Sequence, residues 1–147
     1  MANSTALLIT GEPHQDPYAD DQAVDLESLE GLGTVEGVIL HLDGDADLAL
    51  LKEDLASFKV IVIDFPNFAD GRGFSLARAL RQAGYNGWLR AKGHLIPDQI
   101  RHLAASGFDD LILSDDLAKR MPPIHWQDAA ANALPNYQAQ VFEERSP

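Results

Sequence analysis

The chain contains no cysteine. Disulfides, thiol redox chemistry, iron–sulfur clusters and thiolate-bound zinc are therefore excluded as properties of this chain alone. Basic residues are scarce: 11 Lys and Arg stand against 23 Asp and Glu, a formal net charge of -12 over 147 residues. A partner dense in phosphate would be repelled wherever no local basic patch exists, so nucleic acid is not an expected partner. No apolar run approaches the length of a membrane helix. The opening "MANSTALLIT" lacks a basic start, and its apolar piece is too short for an export signal. These absences predict a soluble, cytoplasmic protein with no membrane partner.

Several motifs are missing too. There is no Gly-x-Ser-x-Gly elbow and no Walker loop. "GLGTVEG" precedes its strand, whereas a dinucleotide fingerprint must follow one. The five histidines show no i, i+4 pair or other ligand spacing, and no metal site is expected. "DGDAD" alternates aspartates as a calcium loop does. Leu48 stands where the sharp-turn glycine belongs, however, and Asp54 where a bidentate glutamate belongs. A helix cap at Asp43 or Asp45 is the simpler expectation. No cofactor is evident, because no motif for nicotinamide, flavin, haem or cluster is present.

What remains is a globular composition, with 46% apolar residues. The length suits one domain with a single core. Residues 1–34 read as an irregular lead-in with an edge strand near Ala6 to Ile9, residues 35–134 as a βα core, and residues 135–147 as a tail. In the core, "VEGVILHL", "KVIVIDF", "GWLRAKG" and "FDDLILS" read as strands. The composition of the second fits burial on both faces. Between them, "DADLALLKEDLASF", "FSLARALRQAG" and "IPDQIRHLAASG" read as helices, the last two stopping near Gly84 and Gly107. "DDLAKRM" and "WQDAAANAL" read as further helices, with "PPIHW" a bend between them. Trp88 and Trp126 are expected to fill core or interface space. This alternation predicts an α/β domain, three-layer or half-barrel-like, with a mainly parallel sheet of about four to five strands and right-handed βαβ crossovers. Its exposed edges admit a homodimer.

Ligands collect beyond the carboxyl ends of parallel strands. The residues following each strand would then share one rim: His41, Asp43 and Asp45; Asn67, Asp70 and Arg72; Arg90, Lys92 and His94; Ser114, Asp115 and Asp116. Within "DFPNFADGRGFSLAR", Gly71 and Gly73 let a ligand approach the backbone, and Ser75 can cap the next helix, whose N–H groups favour an anion. Arg72 offers a planar fork for a carboxylate, phosphate or sulfur oxyanion. Arg78 lies a turn further on, and Arg90 could face the loop from the next strand. The expected ligand-binding set is thus Asp70, Gly71, Arg72, Gly73, Ser75, Arg78 and Arg90. Asp70 and Asp98 are the candidate acid/base residues. The other reading is that Asp70 and Arg72 only brace a tight turn.

The segment Phe65 to Asp109 resembles a bacterial family of unknown function labelled as an oxidoreductase of sulfite reduction. The family pattern F-P-x-F-x-D-G-R-G-Y-S-x-A-R-x-L-R, then G-x-L-R-A-x-G, D-Q and G-F-D, falls on Phe65, Pro66, Phe68, Asp70 to Gly73, Ser75, Ala77, Arg78, Leu80 and Arg81. It continues on Gly87, Leu89 to Ala91, Gly93, Asp98, Gln99 and Gly107 to Asp109. Tyr137 and Gln138 match faintly. Phe74 replaces a common tyrosine, Ser106 a common cysteine and His94 a common aspartate. The resemblance implies a tie to assimilatory sulfate and sulfite reduction, with sulfite reductase or another sulfur-assimilation protein as partner. The expected function is an accessory protein binding an anionic small ligand or partner group at the DGRG loop. Its alternatives are an enzyme using the same rim and a non-catalytic adaptor docking on the reductase.

Overall fold

The computed structural model describes residues 4–18, 21–31, 36–51, 54–67 and 69–131. Phe68, the expected tail at 135–147, and Tyr137 and Gln138 within it lie outside the described residues. One sheet organises the rest. Its strands are β1 (Ser4–Leu8), β2 (Ala23–Asp25), β3 (Ile39–Asp43), β4 (Val60–Phe65), β5 (Trp88–Gly93) and β6 (Asp110–Ser114), in spatial order β1-β6-β5-β4-β3-β2. Every pair from β2 to β6 is parallel, and β1 alone runs antiparallel along β6. The mainly parallel α/β architecture is therefore as the alternation predicts, with six strands rather than four to five. The extra one, β2, lies in a stretch whose composition predicts only an irregular lead-in.

Consecutive strands from β2 to β6 sit side by side, stepping one way across the sheet. Connections of one hand then fall on one face, which gives the half-barrel-like rather than the three-layer arrangement. The helices are α1 (Arg72–Gln82), α2 (Ile100–Ser106), α3 (Asp115–Arg120) and α4 (Pro123–Ala131). The face under α1 is dry: Leu40, Ile61, Ile63, Leu89, Leu111 and Leu113 have no exposed surface. Strand side chains alternate between faces. The same strands therefore turn Ile39 and His41, Val62, Arg90 and Lys92, and Asp110 and Ile112 the other way.

Three expected elements come out differently. "DADLALLKEDLASF" contains two 3-10 turns, Leu48–Leu50 and Leu55–Ser57. Its N–H groups bond three residues back, as from Leu50 to Asp47 and from Ser57 to Asp54. Asp47, rather than Asp43 or Asp45, supplies the cap, accepting from the Ala49 amide at 3.0 Å. Such side-chain bonds compete with a continuous α-helix. Ser75 is no cap either: α1 begins at Arg72 with Gly71 at its N-cap, which puts Ser75 inside the helix. The expected bend at "PPIHW" is helical from Pro123, since proline needs no N–H partner in a first turn.

Core packing accounts for many residues of the family pattern. A side chain at Gly73 would sit 2.6 Å from the Phe65 ring, so α1 can approach β4 this closely only with glycine there. Gly93 has φ +113, and a Cβ on it would run into the Phe65 carbonyl. Trp126 is fully buried and donates to the Met121 carbonyl at 3.1 Å. Ser106 is also buried, and its hydroxyl has no partner among the described residues. Burying an unpaired hydroxyl costs about 1–3 kcal/mol. Ser106→Ala is therefore expected to raise the melting temperature, by about 2–4 °C for each kcal/mol recovered. A lower melting temperature in a calorimetric scan would show that this hydroxyl is satisfied.

Candidate functional site

The rim residues divide between two places. On the helix side, Arg72 folds back on its own turn. Its Nε donates to Asp70 Oδ1 at 3.0 Å, its Nη2 to Asp70 Oδ2 at 2.8 Å, and its backbone amide to Asp70 Oδ1 at 3.1 Å. The Arg72 side-chain hydrogen bond, followed by the amide bond, holds the Asp70 carboxyl at about 2. Asp70 is therefore ionised at neutral pH and braces the turn through Arg72. Arg72 also approaches Asp45, at 3.9 Å, feels the Asp43 charge, and has Gly44 packed on its Cβ side. Gly71 is exposed with open space around it. Ser75 and Arg78 are exposed on α1; burial first, then the Arg78 charge, lowers the pKa of His102, which stacks on Phe74 at 3.8 Å. Asp98 lies elsewhere, in a depression of about 550 Å³ shared with His125 and Asp128.

Arg90 does not join this group. Gly73 rests on Ile63 and Phe65, which face the helices, whereas Arg90 pairs in register with Val62 on the opposite face. There its guanidinium is held between two carboxylates. Nε donates to Asp110 Oδ1 at 3.0 Å and Nη2 to Asp110 Oδ2 at 2.7 Å. On the outer side Nη1 reaches Asp16 Oδ2 at 3.0 Å and Nη2 reaches Asp16 Oδ1 at 2.8 Å. The expectation that Arg90 meets the DGRG loop is thus corrected, because strand alternation sends it to the other side.

Asp16 belongs to a strap that crosses the open face of the sheet. The strap leaves β1 through a tight turn, with His14 N–H bonded to the Ala6 carbonyl at 3.0 Å. His14 Nε2 lies 3.1 Å from Asp110 Oδ2, and the Tyr18 ring centre is 5.7 Å from the Arg90 guanidinium carbon. Burial alone would push the Asp16 carboxyl up. The Arg90 hydrogen bond, the Tyr18 amide and the Arg90 charge outweigh it and hold the carboxyl below its ordinary value.

Strap and sheet enclose a cleft of about 1060 Å³. Among the expected rim residues it gathers His41, Arg90, Lys92, His94 and Ser114, but not Asn67, Asp70 or Arg72. Its floor includes Ile39, Val62 and Ile112; Lys92, His94 and Arg120 stand toward the carboxyl end of the strands. The side chains of these last three make no ion pair or hydrogen bond among the described residues. Asp16, Tyr18, Asp110 and Arg120 are the residues that the motifs miss. One signal was available: "WLRAKG" and "DLILS" place Arg90, Lys92 and Asp110 at strand positions of one parity. Charge on one parity marks a face that helices do not cover. No group of His, Cys, Asp and Glu suited to a metal ion occurs among the described residues, and none of their helices is long and apolar enough to cross a membrane.

Residues 37–147 match the family model described as "Bacterial protein of unknown function (DUF934)", and the chain belongs to that family. No curated protein sequence matches the chain.

Proposed function

We propose that this member of the family is a binding protein that holds an anionic small molecule or partner group in the open-face cleft. Its place would be as an accessory protein in sulfate and sulfite reduction, the setting implied by the resemblance above. One observation carries the reading. In a chain of net charge -12, Lys92, His94 and Arg120 converge on one cleft without a carboxylate partner among the described residues. Lys92 and Arg120 supply positive charge and His94 a ring nitrogen at the carboxyl ends of parallel strands, a set that suits an anion, with Asp64 the in-register neighbour of Lys92 on the same face. The DGRG loop is the weaker location, because Asp70 already occupies the fork of Arg72.

A ligand that binds only the native state raises the melting temperature with saturation near its Kd, at concentrations below those where sulfate acts by exclusion from the surface. Sulfite and sulfate are expected to do so, and the double variant Lys92→Ala/Arg120→Ala to lose at least about tenfold in affinity. Arg72→Ala should bind as the wild type does, with little change in melting. If Arg72→Ala abolishes the stabilisation and the double variant keeps it, the site is the loop and not the cleft. Growth of the source bacterium on sulfate as sole sulfur source, with and without the gene, tests the pathway separately.

A further inference from the structure

The cleft is larger and more apolar than a bare oxyanion requires. At about 1060 Å³ it reaches the top of the range, roughly 300–1,000 Å³, of pockets that hold drug-sized ligands. Its floor keeps contact with solvent: Ala6 is 7% exposed, Ile39 5%, Val62 6% and Ile112 9%, against 0% for their counterparts under the helices. Arg90, at the centre of that floor, is engaged by both Asp110 and Asp16, so its guanidinium is not open to a ligand. Among the lining charges, Asp16 and Asp21, toward the strap, are taken by Arg90 and Lys59. Lys92 and Arg120, without an ion pair among the described residues, stand toward the carboxyl end, where Asp64 adjoins Lys92 in register and His41 pairs with Asp25.

From this arrangement we infer that the natural occupant is an amphiphilic organic anion: a sulfonate, sulfate ester, phosphate ester or carboxylate on a hydrocarbon or ring body. Its head lies at Lys92, His94 and Arg120, and its body covers Ala6, Ile39, Val62 and Ile112, with Tyr18 as a wall. The inference rests on the reading above, that the cleft takes an anion. It adds that apolar contact supplies much of the affinity and excludes inorganic sulfite or sulfate as the preferred ligand.

A homologous series of n-alkyl sulfonates, from methanesulfonate to hexanesulfonate, tests this on the wild-type full chain by calorimetric titration. Affinity is expected to rise about two- to fourfold per methylene, as burial of each CH₂ predicts. Hexanesulfonate should bind at least about tenfold tighter than sulfate. Lys92→Ala/Arg120→Ala, a change of two exposed side chains, should weaken every member by about the same factor. A flat series that the double variant still abolishes would overturn the amphiphile and leave the anion site standing. A rising series indifferent to the double variant would overturn the anionic head, and the proposed function with it. No binding by any member would overturn both.

Discussion

Arg90→Met is expected to destabilise the protein by about 3–5 kcal/mol, the usual effect of breaking a buried ion pair from one side. At about 2–4 °C per kcal/mol, the melting temperature should fall by roughly 10 °C or more. The cost arises from Asp110, which has no exposed surface and loses the bonds from Nε and Nη2, keeping His14 nearby. Asp16 is freed at the same time, and with it the strap. The deficit should depend on pH through Asp16, whose hold on Arg90 the wild type has and the variant lacks. Its carboxyl is held below its ordinary value, so the strap contact contributes above the unfolded pKa and is lost as pH falls through the folded one. The two melting curves should therefore converge on acidification. Replacing the cluster together, as Arg90→Met with Asp110→Leu and Asp16→Asn, is expected to recover much of the loss, because apolar substitutes carry no desolvation cost. A single Arg90→Met variant that melts like the wild type would mean that the guanidinium is not committed to Asp110 and Asp16 and is available to a ligand.

The same residue shows what was legible in the sequence. Hydrophobic runs and glycine stops predict β3 to β6, α1 and α2, because those elements bury one continuous apolar surface and their periods record it. The role of the DGRG loop was not legible. Asp, Arg and Gly are the residue types both of an anion cradle and of a braced strand-to-helix turn, and the distinction lies in where the guanidinium points. Here it points at Asp70, two residues away. The strap was invisible for a different reason. "GEPHQDPY" has no period, and Asp16 acquires its meaning only from Arg90, 74 residues further on. Contacts of that range leave no trace in a local window. The cleft could have been approached from parity alone. Arg90 and Lys92 alternate with Leu89 and Ala91, a pattern that a strand covered by helices on both faces would not tolerate.

Parity also separates the two consecutive aspartates of "GFDD", and the second large effect follows from the first of them. Asp110 faces the cleft, whereas Asp109 faces the helices and meets Arg81 of α1 at 2.8 Å. Arg81 is a tie across three chain segments. Nε and Nη2 donate to the Gly107 carbonyl at 3.0 and 2.8 Å, and Nη1 donates to the Tyr85 and Gly87 carbonyls at 2.9 Å each. Asp109 also accepts from the Leu89 amide at 3.0 Å, which locks the start of β5 to the start of β6. Arg81→Ala therefore takes the guanidinium from a fully buried carboxylate, which keeps the Leu89 amide, and a donor from each of three carbonyls. It is expected to cost about 3–5 kcal/mol, and again roughly 10 °C or more in melting. Arg81→Lys should rescue little, because one ammonium cannot reproduce the planar fork that reaches all four acceptors. The two arginine variants differ in a second readout. Arg81 lies on the helix side, so Arg81→Ala measured well below its melting temperature should retain the alkyl sulfonate series. Arg90→Met releases the strap that walls the cleft and should weaken the series even where the protein is folded. Equal losses of binding in the two variants would show that the strap does not form the site, and the cleft would then need another wall.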